Sequence, residues 1–220
     1  MIRIVLADDQ ALLRSTFRML IESGDDMTVV AEAANGEEAV ALAQLHRPDL
    51  VLMDIRMPVL DGLAATRRIC STTELARTRV LILTTFETDE YVARALEAGA
   101  SGFLGKDVTP DVLLAGIRTV VGGEALLSPS ATRALINQFL SGPGTVGEPS
   151  RGSLATLTDR EREMTALAAH GLSNQEIADR LTVSPLTVRT HIHRAMMKVR
   201  ARDRAQLVVL AYQQGLVRVR

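Results

Sequence analysis

The sequence predicts an α/β unit, a five-stranded doubly wound parallel sheet, followed by a separate all-α unit of four helices. Three observations carry this. Short aliphatic runs alternate with helical periods from Arg3 to Val121. A stretch rich in Gly, Pro and Ser follows, and beyond it the apolar spacing is helical throughout.

The run IRIVLA comes first, with Leu13, Phe17, Leu20 and Ile21 at helical spacing after it. TVVAEA precedes Ala39, Leu42 and Ala43, and DLVLM precedes Leu63, Thr66 and Ile69. RVLILT precedes Val92, Ala95 and Leu96, and SGFLG precedes Val112, Leu113, Ile117 and Val120. The strands are unbroken apolar runs, as a parallel sheet covered by helices on both faces requires. Pro110 suits the first turn of the fifth helix, with Thr109 as its cap. After Gly122 and Gly123 a short helix is expected over about 130–140. The stretch SGPGTVGEPSRGS, 141–153, reads as a flexible linker. The expected domains are therefore 1–121 and 154–220, joined by 122–153.

In the second unit Thr158 and Glu161 form a capping-box pattern, and Ser173 and Glu176 repeat it. Ser184 and Pro185 open a third helix that buries Val188, Ile192, Met196 and Val199 and turns Arg189, Thr190, His193, Arg194 and Met197 outward or to its flanks. The break at Thr182 and Val183 is so short that the second and third helices form a helix-turn-helix. A fourth helix is expected from Arg204 to Gln214.

The formal net charge of −1 hides a division. Residues 1–127 hold 12 Lys/Arg against 19 Asp/Glu, a balance of −7, whereas residues 154–220 hold 11 against 6, a balance of +5. An acidic front and a basic back point to a metal-binding or regulatory module joined to one that meets a polyanion. The single cysteine, Cys70, forms no internal disulfide and reads as a small buried hydrophobe. No apolar run is long enough to span a bilayer and no signal peptide precedes Ile2, so a cytoplasmic protein without a membrane partner is expected.

Chemistry-bearing residues gather at the strand ends. The first strand runs into Asp8 and Asp9, the third into Asp54, the fourth into Thr84 and Thr85, and the fifth into Lys106. In a doubly wound sheet these ends share one edge, where such folds place their sites. Three carboxylates are hard oxygen ligands suited to Mg²⁺ rather than zinc, and Lys106 suits a phosphate oxygen.

The motifs ADDQ, LVLMDIRMPVLDG, LTT, GASGFLGKD, LTDREREM, GLSNQEIADRL and SPLTVRTHI together resemble the two-component response regulators of the NarL/FixJ subfamily, a flavodoxin-like receiver domain joined to a LuxR-type helix-turn-helix. The resemblance implies Asp54 as phosphoacceptor for a sensor histidine kinase. It implies Asp8, Asp9, Asp54 and the Arg56 carbonyl around Mg²⁺, Thr84 and Lys106 on the phosphoryl group, and Phe103 as the aromatic that moves on activation. Two positions depart from the commonest pattern: Asp107 stands where many receivers have a cis proline, so a trans bond is expected, and Arg200 stands where glycine is common.

On this reading double-stranded DNA is the second partner. Thr187, Arg189, Thr190, His193, Arg194 and Lys198 are the expected contacts, with Arg200, Arg202 and Arg204 adding charge near the end of the same helix. A homodimer on an inverted repeat is expected, with Leu207, Leu210 and Ala211 as candidate contacts between copies or as core. Two rivals are weaker. An aspartate-nucleophile phosphatase needs a second carboxylate two residues after the nucleophile, and that position is Arg56. The complete acidic site argues against an orphan regulator that binds DNA without phosphorylation, and a phosphorylation assay decides between the two.

Overall fold

The computed structural model describes residues 1–85, 89–123 and 153–217, without the side chains of Asp89 and Glu90. The helix expected over 130–140 lies outside the described residues, as does the rest of the joining segment 122–153 except Gly122, Gly123 and Ser153. The chain divides into two compact units, Met1–Leu126 and Leu127–Arg220.

In the first unit β1 (Ile2–Ala7), β2 (Met27–Ala33), β3 (Leu50–Met53), β4 (Arg79–Thr84) and β5 (Gly102–Gly105) alternate with α1 (Ala11–Glu22), α2 (Gly36–His46), α3 (Gly62–Ser71), α4 (Asp89–Ala98) and α5 (Pro110–Val121). The sheet is parallel throughout, in the order β2-β1-β3-β4-β5. Its register pairs Ala7 with Met53, Met53 with Ile82, and Thr84 with Gly105, which brings the carboxyl ends of four strands to one edge. β1 and β3 are neighbours although β2 comes between them in the chain, so the winding reverses there and a crevice opens beyond their ends.

Burial on both faces accounts for the unbroken runs. Ile4, Leu6, Leu50, Leu52, Leu81 and Leu83 pack with Phe17 and Ile21 of α1 and Leu113, Ile117 and Val120 of α5. The alternate positions Val5, Ala7, Val51, Met53, Val80 and Ile82 are buried as well. Each fully buried aliphatic side chain contributes on the order of 1.5–3 kcal/mol.

Asp61 caps α3 by accepting from the Ala64 amide at 2.7 Å, and the Gly62 amide donates to the Ile55 carbonyl at 2.8 Å. A Cβ at Gly62 would overlap the Asp54 carbonyl oxygen, so the return of the chain past Asp54 requires glycine here. Thr109 does precede α5 with Pro110 in the first turn, but its side chain makes no capping hydrogen bond. All described peptide bonds are trans, including Lys106–Asp107.

The second unit contains α6 (Asp159–Ala169), α7 (Asn174–Leu181), α8 (Pro185–Val199) and α9 (Arg204–Gln213). Both capping boxes form, Thr158 with Glu161 and Ser173 with Glu176, and the Ser184 hydroxyl accepts from the Thr187 amide at 3.0 Å. Thr182 ends α7 in the left-handed region at φ 53°, and the Val183 amide donates to the Ala178 carbonyl at 3.0 Å, closing the tight turn of the helix-turn-helix. The core joins Met164 and Ala168, Ile177 and Ala178, Val188, Ile192 and Val199, and Leu207 and Leu210. Leu207 and Leu210 lie in this core, the packing reading of these two residues, and Ala211 is also buried.

Candidate functional site

β1 carries the chain into Asp8, 2% exposed, and exposed Asp9, and β3 carries it into Asp54, 5% exposed. One carboxylate oxygen from each lies within 4.8 Å of the others. Lys106 enters from the end of β5. Its Nζ lies 2.6 Å from Asp8 Oδ2 and 3.0 Å from Asp54 Oδ2, with its side chain 6% exposed. The remaining oxygens are held by backbone: the Gln10 amide donates to Asp8 Oδ1 and the Ile55 amide to Asp54 Oδ1, each at 2.8 Å. The Lys106 amide donates to the Thr84 carbonyl at 2.9 Å, fixing the loop that carries the ammonium to the neighbouring strand end.

The charges in this cluster do not balance. Three carboxylates meet one ammonium, which leaves the cluster two negative charges in excess when ionised. Burial pushes the Asp54 carboxyl above the ordinary carboxylate value, and the Lys106 hydrogen bond only partly opposes it. Burial alone would lower Lys106, but its hydrogen bonds to Asp8 and Asp54 outweigh that and hold the ammonium above its usual value. Such a cluster, with exposed Asp9 at its open side, fits a small hard cation that keeps part of its water shell.

Thr84 is fully buried at the end of β4. Phe103, paired in register with Ile82, is 4% exposed and so already packed inward. Arg56 is exposed, and its guanidinium donates to the Tyr91 hydroxyl at 3.5 Å. The two side chains line a cavity of about 390 Å³ with Ile55, Met57, Asp61, Leu63 and Arg94, a link that nothing in the local spacing announces.

In the second unit α8 presents Leu186, Arg189, Thr190, His193, Arg194 and Met197 to solvent, while Val188, Ile192, Ala195 and Val199 are buried. Thr187 is half-buried, and its hydroxyl lies 2.8 Å from that of Ser184. The Thr190 hydroxyl donates to the Leu186 carbonyl at 2.9 Å. Lys198 reaches back to α6, its Nζ 2.6 Å from Glu161 Oε2. Arg204, counted from sequence among the outward cations, is 8% exposed and donates to Asn174 Oδ1 and the Leu172 carbonyl, fastening α9 to the start of α7.

Residues 4–118 match the family model of the response regulator receiver domain, and residues 155–211 that of the LuxR family of bacterial regulatory proteins. The chain belongs to the response regulators. It is 43% identical over 218 residues to the transcriptional regulatory protein YxjL of Bacillus subtilis, covering 98% of this chain and 97% of that one. It is 38% identical over 221 residues to the transcriptional regulatory protein LnrK of the same organism, covering 98% and 99%. Among solved structures, the response regulator ChrA of a heme-sensing two-component system superposes with a TM-score of 0.52 at 34% identity, covering 98% of both chains. This response regulator thus joins a receiver domain to a LuxR-type helix-turn-helix, in a family of transcription regulators rather than enzymes. Asp8, Asp9 and Asp54 form the acidic cluster typical of a receiver's Mg²⁺ site. No helix among the described residues is long and apolar enough to cross a membrane.

Proposed function

We propose that Asp54 accepts a phosphoryl group from a sensor histidine kinase and that the modified chain controls transcription through α8. The bridging of Asp8 and Asp54 by Lys106, with Asp9 left beside them, carries this reading. Residues 1–121 form the phosphoacceptor domain, 122–153 the linker and 154–220 the DNA-binding domain, and the protein works in the cytoplasm, where its DNA is.

Asp8, Asp9, Asp54 and the Arg56 carbonyl would hold Mg²⁺, which would supply positive charge to the phosphoryl oxygens. An Asp54 carboxylate oxygen forms the bond to phosphorus as the phosphorus–nitrogen bond to the kinase histidine breaks, and the leaving imidazole keeps that electron pair. Lys106 then turns its ammonium to a phosphoryl oxygen and the Thr84 hydroxyl meets another. The covalent charge biases the packing of Thr84 and buried Phe103, and with it the faces of α4 and α5.

On DNA, α8 enters the major groove. Arg189 reads a base edge beside His193 and Thr190, and Thr187, Arg194 and Lys198 support the helix on phosphates. A single recognition helix reads a short half-site, so two copies bind an inverted repeat. The test is labelling with acetyl phosphate in Mg²⁺ followed by binding to genome-derived DNA. Stoichiometric labelling that is lost in Asp54→Asn, and tighter DNA binding by the labelled protein, are expected. Equal DNA affinity with and without label would favour a phosphorylation-independent regulator.

A further inference from the structure

We infer that Leu186 reads thymine, its side chain meeting the C5 methyl group of one thymine in each bound half-site. This rests on the proposal that α8 enters the major groove. Leu186 is 70% exposed, although the outward residues that follow it, Arg189, Thr190, His193 and Arg194, are polar or cationic. It is the second residue of the helix, held by the Ser184 cap and Pro185, at the end where a recognition helix meets base edges.

The chemistry left free at this end is restricted. The Thr190 hydroxyl hydrogen is committed to the Leu186 carbonyl at 2.9 Å, and the hydroxyls of Ser184 and Thr187 share a hydrogen bond of 2.8 Å. What remains for the groove includes the guanidinium of Arg189, the imidazole of His193, the methyl group of Thr190 and, as the largest apolar body at this end, the side chain of Leu186. Base edges in the major groove offer acceptors, amino donors and one apolar group, the thymine methyl. Leucine matches only the last. Leu186, Thr190, His193 and Met197 recur at helical spacing, so Leu186 ends the stripe that contains the proposed base readers. Met197, 68% exposed, does not compete for this role. It lies about 16 Å further along the helix axis, beyond the roughly 12 Å width of the groove.

The experiment is a cycle of binding titrations with the full chain on its mapped operator, replacing each thymine in turn by uracil, which removes the methyl group and nothing else. For the unaltered protein one thymine per half-site should weaken binding about fourfold when replaced, the effect of one buried methyl group. Leu186→Ala should weaken binding to thymine DNA and bind uracil DNA at that position equally well. A uracil penalty that survives undiminished in Leu186→Ala, or the absence of any penalty in the unaltered protein, overturns the assignment. Methylation interference at guanine N7 separates the two levels. Interference in both half-sites with no coupling to Leu186 refutes only the thymine contact, whereas no interference refutes the placement of α8 in the major groove and the inference with it.

Discussion

Lys106 and Lys198 each place an ammonium 2.6 Å from a carboxylate oxygen, and the two contacts have opposite meanings. Lys198 is 38% exposed and faces one carboxylate, that of Glu161, whose same oxygen accepts from the Thr158 amide at 2.9 Å. That pair is balanced and ties α8 to the capping box of α6. Lys106 is 6% exposed and faces two carboxylates from two strands, with Asp9 adding a third. Burial raises the proton affinity of Asp54, whereas at Glu161 the effect of burial is outweighed by Lys198 and by the amide and hydroxyl of Thr158, which together hold the carboxyl below its usual value. The length of an ion pair therefore says little about its role. The charge left over when the pair is counted decides whether a site is a clasp or a receptor.

Breaking the first site should have the largest effect. Lys106→Ala leaves Asp8 and Asp54 buried without their ammonium, and the receiver should lose roughly 3–5 kcal/mol of stability in chelator. Denaturant unfolding should show Mg²⁺ returning most of that loss in the variant and adding less to the unaltered protein. Equal losses with and without Mg²⁺ would mean that these carboxylates do not hold the cation.

Asp54→Asn should act in the other direction. A folded-state value raised above the unfolded one means that the folded chain binds the proton more tightly, so stability falls as the pH rises from the ordinary carboxylate value to the raised one, and is flat above it. Asparagine removes that fall. Thermal unfolding in chelator between about pH 4 and pH 7 should therefore converge for the two proteins in acid and favour the variant at neutral pH. Parallel curves would mean that burial does not strain Asp54.

The second pair is worth less. Lys198→Ala should cost about 1 kcal/mol in the helical domain, since a charged hydrogen bond is discounted by partial exposure. Glu161 titrates below its usual value, so its contribution is present above the ordinary carboxylate value and lost as the pH falls through the lowered one. Lys198→Ala should flatten that acid limb. If the proposed phosphate contact also holds, the salt dependence of DNA binding should lose about one unit of slope; an unchanged slope confines Lys198 to the clasp.

The strands and the acidic edge were legible because both depend on local pattern. Unbroken runs mark two-sided burial, and Asp8, Asp9, Asp54 and Lys106 each follow such a run directly. Capping boxes were legible for the same reason, since Thr158 and Glu161 stand three residues apart. What escaped is long-range. Lys198 meets Glu161 across 37 residues and Arg204 meets Asn174 across 30, and no periodicity marks either. A cation read alone looks like a surface charge; packing decides which cation becomes a strut. The apolar residues of α9 carry two readings in the sequence, because a helix face destined for a partner and one destined for the interior have the same spacing.

The smallest effects should come from two residues that the backbone holds in the left-handed region, one in each unit. Val59 has φ 67°, and the Leu60 amide donates to the Pro58 carbonyl at 2.7 Å, which makes Val59 the centre of a three-residue turn. Its side chain is 77% exposed, so packing does not compensate the strain of a β-branched residue there. Arg200 has φ 54° and ends α8, its amide donating to the Met196 and Met197 carbonyls. Left-handed backbone costs an ordinary residue about 1–2 kcal/mol, and glycine gives back about half of that through its greater freedom when unfolded. Val59→Gly and Arg200→Gly should each stabilise their own unit by about 0.5–1 kcal/mol, and in the double variant the gains should add because the two residues belong to different compact units. Their functional consequences should differ. Val59→Gly leaves every charge near Asp54 in place, whereas Arg200→Gly removes a cation beside the proposed DNA-binding face and should weaken binding to all sequences alike. Calorimetry with separate transitions for the two units reads the first claim, and titrations at several salt concentrations read the second. Destabilisation by either glycine would show that the side chain, not the backbone, dominates at that position.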